Sequence, residues 1–137
     1  MEYLQKLEEG KALVEKLLSG KQYRFAELKP SDIQDKLSGI YAIFNSSGET
    51  LYIGRTKNLR QRLYNNHLMG PLSNARLKKY LVEDDKLSHI SNRDEAKSYI
   101  KENCFVQYIV EGSVVRRGQI EGLLSFALNV KYMHEEH

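Results

Sequence analysis

Residues 51–82 carry Arg55, Lys57, Arg60, Arg62, Arg76, Lys78 and Lys79 and no Asp or Glu. Such a one-signed block, interleaved with tyrosines, supplies cations for backbone phosphates and rings for stacking on bases. Two tripeptides, Gly39-Ile40-Tyr41 and Tyr52-Ile53-Gly54, stand in short β-branched and aromatic runs at 40–44 and 51–56. The runs are joined by Asn45-Ser46-Ser47-Gly48, a strong hairpin signal. If Asn45 faces Gly48 over a two-residue loop, Tyr41 lies directly opposite Tyr52 and Gly39 opposite Gly54. Both phenols then leave one face of the sheet, beside a glycine pair that lets a ligand approach the backbone. A slip of one residue would put them on opposite faces.

Several helices must hold that hairpin in place. Leu4, Leu7, Leu13, Val14, Leu17 and Leu18 recur at helical spacing over residues 2–19, with Gly20 as the stop and Gly10 weakening the middle. Residues 58–67 read as a helix with Leu59 and Leu63 inward, and 74–82 as a second using Leu77, Tyr80 and Leu81. Asn92 with Glu95 three residues later resembles a capping box and opens a helix to about residue 101. A third strand is expected over 105–110 and a last helix over 115–128, carrying Ile120, Leu123, Leu124 and Ala127. These elements predict an α+β domain: a small three-stranded antiparallel sheet flanked by helices, with an added N-terminal helix.

The 137 residues suit one domain, with a helical extension over 1–37 and a core over 38–132. With 41% hydrophobic and 28% charged residues the chain is neither a disordered tail nor a membrane protein, and no apolar run approaches the roughly 20 residues of a spanning helix. The N-terminus lacks a signal-peptide core, and the single cysteine, Cys104, excludes an internal disulfide framework, so a reduced, cytoplasmic protein is expected. The net charge of +3 identifies no partner by itself; its distribution is the informative part.

The two tripeptides, with Arg62 ten positions after Tyr52 and Glu121 in the last helix, strongly resemble the GIY-YIG nuclease superfamily. That family includes homing endonucleases, some restriction enzymes and the N-terminal incision domain of the bacterial excision-repair nuclease. The resemblance implies a divalent-metal-dependent endonuclease cutting DNA phosphodiester bonds. By its motif, Glu121 would hold magnesium, or manganese in its place, through a hard carboxylate oxygen. Arg62, on the flank of its helix, would stabilise charge on the phosphate. Tyr41 would take the base-like role and Tyr52 would orient water or contact phosphate. A phenol with a pKa of ~10 needs neighbouring cations to serve as a base at neutral pH, and the basic block supplies them. Arg55 matches a position where the family often has a cation and is expected to be a second phosphate ligand. Lys57, Arg60, Arg76, Lys78 and Lys79 are read as non-specific DNA-backbone contacts.

Two positions depart from the family pattern. The histidine often found one helical turn after the arginine is Asn66 here, with His67 next, so His67 enters the site only if the helix ends there. The asparagine expected about twelve residues after the glutamate is Met133, while Asn129 comes four residues earlier and is expected to end the last helix. No element for major-groove readout is evident, so duplex or branched DNA, a homodimer through the N-terminal helix, or a separate targeting protein are the expected partners. A DNA-binding module that keeps the fold and basic groove without turnover is the alternative, and a protein-interaction domain using the N-terminal helix is a third. Repair, restriction and mobile-element roles all remain open at this level.

Overall fold

The computed structural model describes residues 2–69 and 76–133, with the side chains of 66–69 outside the described set. In chain order the elements are α1 (Tyr3–Ser19), β1 (Tyr23–Arg24), β2 (Gly39–Asn45), β3 (Thr50–Thr56), a π-helical segment (Gln61–Met69), α2 (Arg76–Glu83), α3 (Arg93–Asn103), β4 (Cys104–Val110) and α4 (Val114–Ala127). The α+β class and the added N-terminal helix are as expected, but the antiparallel sheet has four strands, in the order β1-β4-β2-β3, rather than three. The extra strand is two residues long and pairs Tyr23 with Val106 and Arg24 with Phe105. A strand that short has no alternation from which to be read.

β2 lies at the centre, and its first six residues are all buried. Tyr41 and Ile43 face one core with Leu59, Leu63, Leu77, Leu81 and Ile100. Ile40, Ala42 and Phe44 face a second core, with Leu17 from α1 and Ile120 and Leu124 from α4. Helices therefore cover both faces of the sheet, and the continuous apolar run of β2 is what a doubly covered strand requires. Half of the apolar stripe of α1 is used in this packing: Leu17 is buried and Leu13 and Val14 pack partly buried beside it, while Leu4, Leu7 and Leu18 remain exposed. Gly10, a weak point for an isolated helix, lets α1 close on α4, since a Cβ there would press on Leu123. The buried Gln107 amide of β4 donates to the Leu18 and Gly20 carbonyls at 3.0 and 2.7 Å, satisfying groups that the end of α1 leaves without helical partners.

The hairpin register differs from the expected one by two residues. Tyr41 pairs with Gly54, Gly39 with Thr56 and Ile43 with Tyr52. The Gly48 N–H donates to the Asn45 carbonyl at 3.0 Å, Gly48 takes a positive φ of 86°, and the Asn45 N–H then donates to the Glu49 carbonyl at 3.0 Å. That is a three-residue loop closed by a left-handed glycine, one residue longer than the loop assumed from sequence. The Asn45 Oδ1 reinforces it by accepting from the Ser47 and Glu49 backbone N–H groups. A second irregularity between Ile43 and Phe44 inserts one more residue. Two insertions preserve parity, so Tyr41 and Tyr52 still share a face but sit diagonally, with ring centroids 6.2 Å apart.

Both motif glycines are required by close approach. A Cβ on Gly39 would collide with the Ile109 backbone carbonyl, and one on Gly54 with the hydroxyl end of Tyr41. Gly39→Ala forces a rigid backbone apart in the centre of the sheet. It is expected to destabilise the fold by about 1–3 kcal/mol, read as a fall in the urea unfolding midpoint relative to wild type.

Candidate active site

At the open edge of β3, four separate parts of the chain converge on a cavity of about 350 Å3 lined by Tyr41, Tyr52, Gly54, Arg55, Arg62, Arg76 and Glu121. β2 and β3 bring the tyrosines, the π-helical segment brings Arg62, the start of α2 brings Arg76, and α4 brings Glu121. The backbone N–H of Arg55 donates to the Glu121 carboxylate. Because β3 is an edge strand, that N–H is available to a side chain reaching round from α4. The Arg55 side chain passes across Gly118 of α4, where a Cβ would collide with its guanidinium.

Three guanidiniums thus face one carboxylate, a field suited to an anion in the cavity. Burial opposes ionisation throughout. It pushes the Tyr41 phenol well above its usual range, and the neighbouring Tyr52 adds to this, while Arg62 and Arg76 pull it down. Tyr52 is also raised, by burial first, with Arg76 pulling against it. Without a further ligand, then, the cations do not overcome burial to lower the tyrosine pKa values as expected from the basic block. Glu121 is raised by burial too, against the opposing pull of Arg55, Arg76 and the Arg55 N–H.

The positions expected to meet DNA divide. Arg55 and Lys57 are exposed on and just beyond β3, and Lys79 is exposed on α2. Arg76 is drawn into the cavity itself, a closer role than non-specific backbone contact. Arg60 is occupied within the fold, its Nε donating to the Ile33 carbonyl at 2.7 Å. Lys78 is a correction: it is fully buried between α2 and α3, where no DNA phosphate can reach it, and burial lowers its pKa to about 8. A basic residue every position or two in 76–79 cannot all face outward from a helix, and the apolar stripe of Leu77 and Leu81 carries Lys78 inward. The side chain of His67 lies outside the described residues, as does the expected helix start at Asn74. The backbone around residue 67 is π-helical rather than α-helical, which widens the turn beyond the four residues assumed in placing Asn66 near Arg62.

Sequence reasoning missed an aromatic stack behind the site. Tyr52 tilts against Tyr80 at 6.3 Å, and Tyr80 stacks on Tyr132 at 5.4 Å and 6°. The Tyr132 hydroxyl donates to Asp84 at 2.6 Å, and the N–H groups of Lys131 and Tyr132 donate to the Thr50 and Leu51 carbonyls of β3. Met133 is 62% exposed next to this clamp. Asn129 ends α4 as expected, in a left-handed conformation with φ of 51°.

For a metal, the donor set is one half-buried carboxylate opening on a cavity that also holds two phenols. Among the described residues no group of three or more His, Cys, Asp or Glu converges. A single hard oxygen ligand with open space fits magnesium, which retains waters and takes phosphate oxygens, better than it fits a caged transition metal.

A family profile for the GIY-YIG catalytic domain matches residues 37–107, just over half of the chain, and the chain belongs to that family. Among curated proteins it is similar to UvrABC system protein C of Campylobacter jejuni strain 81-176, at 32% identity over 78 residues, covering 53% of this chain and 13% of the relative. UvrABC system protein C of Rhizobium johnstonii is 27% identical over 64 residues, covering 47% of this chain and 9% of that protein. The chain therefore matches only about a tenth of the length of these relatives. No solved structure matches it significantly.

The raised pKa of Glu121 has a consequence for stability. A carboxyl whose folded pKa lies above its unfolded value contributes stability at low pH that is lost as the pH rises through the folded pKa. In metal-free buffer Glu121→Gln is expected to gain stability relative to wild type as the pH rises through the carboxylate range, with the gain absent at pH values where both folded and unfolded carboxyls are protonated. Chemical denaturation across that pH range checks it.

Proposed function

We propose that this chain is a divalent-metal-dependent endonuclease that hydrolyses DNA phosphodiester bonds. Membership of the GIY-YIG catalytic domain family and likeness to UvrABC system protein C support a nuclease acting on DNA. The observation that carries the finer reading is the convergence of Tyr41, Tyr52, Arg62 and Glu121 on one cavity from separate elements.

Hydrolysis requires water to attack phosphorus, the P–O bond to the departing sugar oxygen to break, and that oxygen to take up a proton. Arg62, half-buried on the π-helical segment, meets the non-bridging phosphate oxygens with paired N–H donors and stabilises the charge that grows there. Arg76, lining the same cavity from the start of α2, adds a second guanidinium. Glu121 holds magnesium or manganese, which when bound supplies Lewis acidity and lowers the pKa of coordinated water. The Arg55 N–H lies on the Glu121 carboxylate and favours its charged form.

Tyr41 takes the proton-handling role. Its hydroxyl is held against Gly54 and faces the same cavity as Arg62 and Arg76, the two cations that pull its pKa down against burial. Tyr52, less buried and backed by Tyr80, orients the water or the phosphate. The high pKa of Tyr41 in the absence of ligands specifically favours a second reading, a DNA-binding module of low turnover.

Nicking of supercoiled plasmid separates the two. With magnesium or manganese the wild type is expected to nick and with EDTA it is not. Glu121→Ala is expected to abolish the metal-stimulated reaction, and Arg62→Ala to slow it by roughly a hundred- to thousandfold. Equal background in wild type and Glu121→Ala would contradict the nuclease and leave the binding module.

A further inference from the structure

A second basic cavity adjoins the first. It measures about 480 Å3 and is lined by Arg55, Lys57, Asn58, Gln61, Arg62 and Arg117, together with the exposed Val114. Arg55 and Arg62 belong to both cavities and form the wall between them. No carboxylate lines this second cavity among the described residues.

Arg117 is its most informative member. The side chain is only 5% exposed, and one guanidinium nitrogen donates to the Glu111 and Gly112 carbonyls at 3.1 and 3.0 Å. Those carbonyls orient the group without neutralising it. The Glu111 carboxylate is engaged by the Ser113 N–H at 3.0 Å and by Arg116 at 3.2 Å. Among the described residues no salt bridge to Arg117 forms, whereas the adjacent Arg116 pairs with both Glu9 and Glu111. Glu111 feels the Arg117 charge through space without pairing with it, so an anion in the space beside the buried guanidinium would add a direct partner.

The walls complete the case for phosphate. Lys57 and Arg55 are exposed at the mouth, and Asn58 and Gln61 supply amides. The surface is polar and cationic, and it shares Arg55 and Arg62 with the first cavity, so a chain of linked phosphates can occupy both. We infer that this second cavity binds a DNA-backbone phosphate next to the scissile one, so that Arg55 and Arg62 lie between two successive phosphates of one strand. The inference rests on the reading of the first cavity as the site of phosphodiester cleavage. It adds Arg117, Lys57, Asn58 and Gln61 as a positioning subsite that fixes the register of the strand without base contacts.

The test is equilibrium binding of a fluorescein-labelled twelve-base-pair DNA duplex in EDTA, followed by anisotropy over a range of salt. Binding in EDTA reports the subsite without requiring turnover. Val114→Glu places a carboxylate at the rim, on an exposed residue in the first turn of α4, where a negative charge is favourable to the helix. Phe126→Glu makes the same charge change on an 89% exposed residue of α4 that lines neither cavity. Val114→Glu is expected to weaken binding by roughly tenfold and to reduce the slope of log K against log salt by about one. Lys57→Gln is expected to reduce the slope similarly, and Phe126→Glu to change affinity by less than about twofold. Equal effects of the two glutamate variants, or an unchanged slope in both Val114→Glu and Lys57→Gln, would overturn the subsite while leaving the nuclease intact. A wild type that neither binds the duplex nor nicks plasmid would overturn both, and one that nicks plasmid without binding the duplex, or whose nicking is unaffected by Val114→Glu, would overturn the subsite alone.

Discussion

The hydroxyl end of Tyr41 lies against the bare Cα of Gly54, and the site is organised around that contact. No other residue than glycine leaves room there, because the tyrosine ring is buried between β2 and the helices above it and cannot retreat. The contact exists because the hairpin carries two extra residues relative to the tightest turn. They slide Tyr41 from opposite Tyr52 to opposite Gly54, so the two rings are staggered and both hydroxyls reach the same cavity. Had the rings faced each other directly, they would have filled the space that a phosphate needs.

Edge position does the rest. β3 has no neighbour on one side near Arg55, so its N–H is free to fix Glu121, and the carboxylate joins phenols that project from the other face of the sheet. Gly118 keeps the surface of α4 low enough for the Arg55 side chain to cross it. Burial raises the pKa values of Tyr41, Tyr52 and Glu121 together, and the three guanidiniums oppose it. Burial therefore holds these three groups toward their neutral forms, and the guanidiniums are the opposing influence.

Much of this was legible because the signals were local. The hairpin, the shared face of the tyrosines, the capping asparagine of α3 and the Ile120 and Leu124 half of the α4 stripe follow from period and turn chemistry, whereas Ala127 is exposed; the Asn92 cap is present at 2.9 Å. The shared face survived a wrong register only because the error was an even number. What was not legible depends on tertiary contact. The two-residue β1 has no pattern of its own, and the inward turn of Lys78 is decided by neighbours on α2 and α3 rather than by its charge. Arg76 and Arg117 look like any other basic residues until the fold brings them to cavities. Helical phase placed Arg62 well enough because it lies close to Leu59 and Leu63, but that phase stops being α-helical at Gln61.

The most direct test of whether these residues form one metal-assisted site is paramagnetic line broadening by substoichiometric manganese in the 15N–1H spectrum of the full chain. The expected result is broadening centred on the amides of Gly54, Arg55 and Glu121 that disappears in Glu121→Gln. Broadening centred elsewhere, or unchanged in Glu121→Gln, would contradict Glu121 as the metal ligand and with it the assignment of this cavity as the catalytic centre.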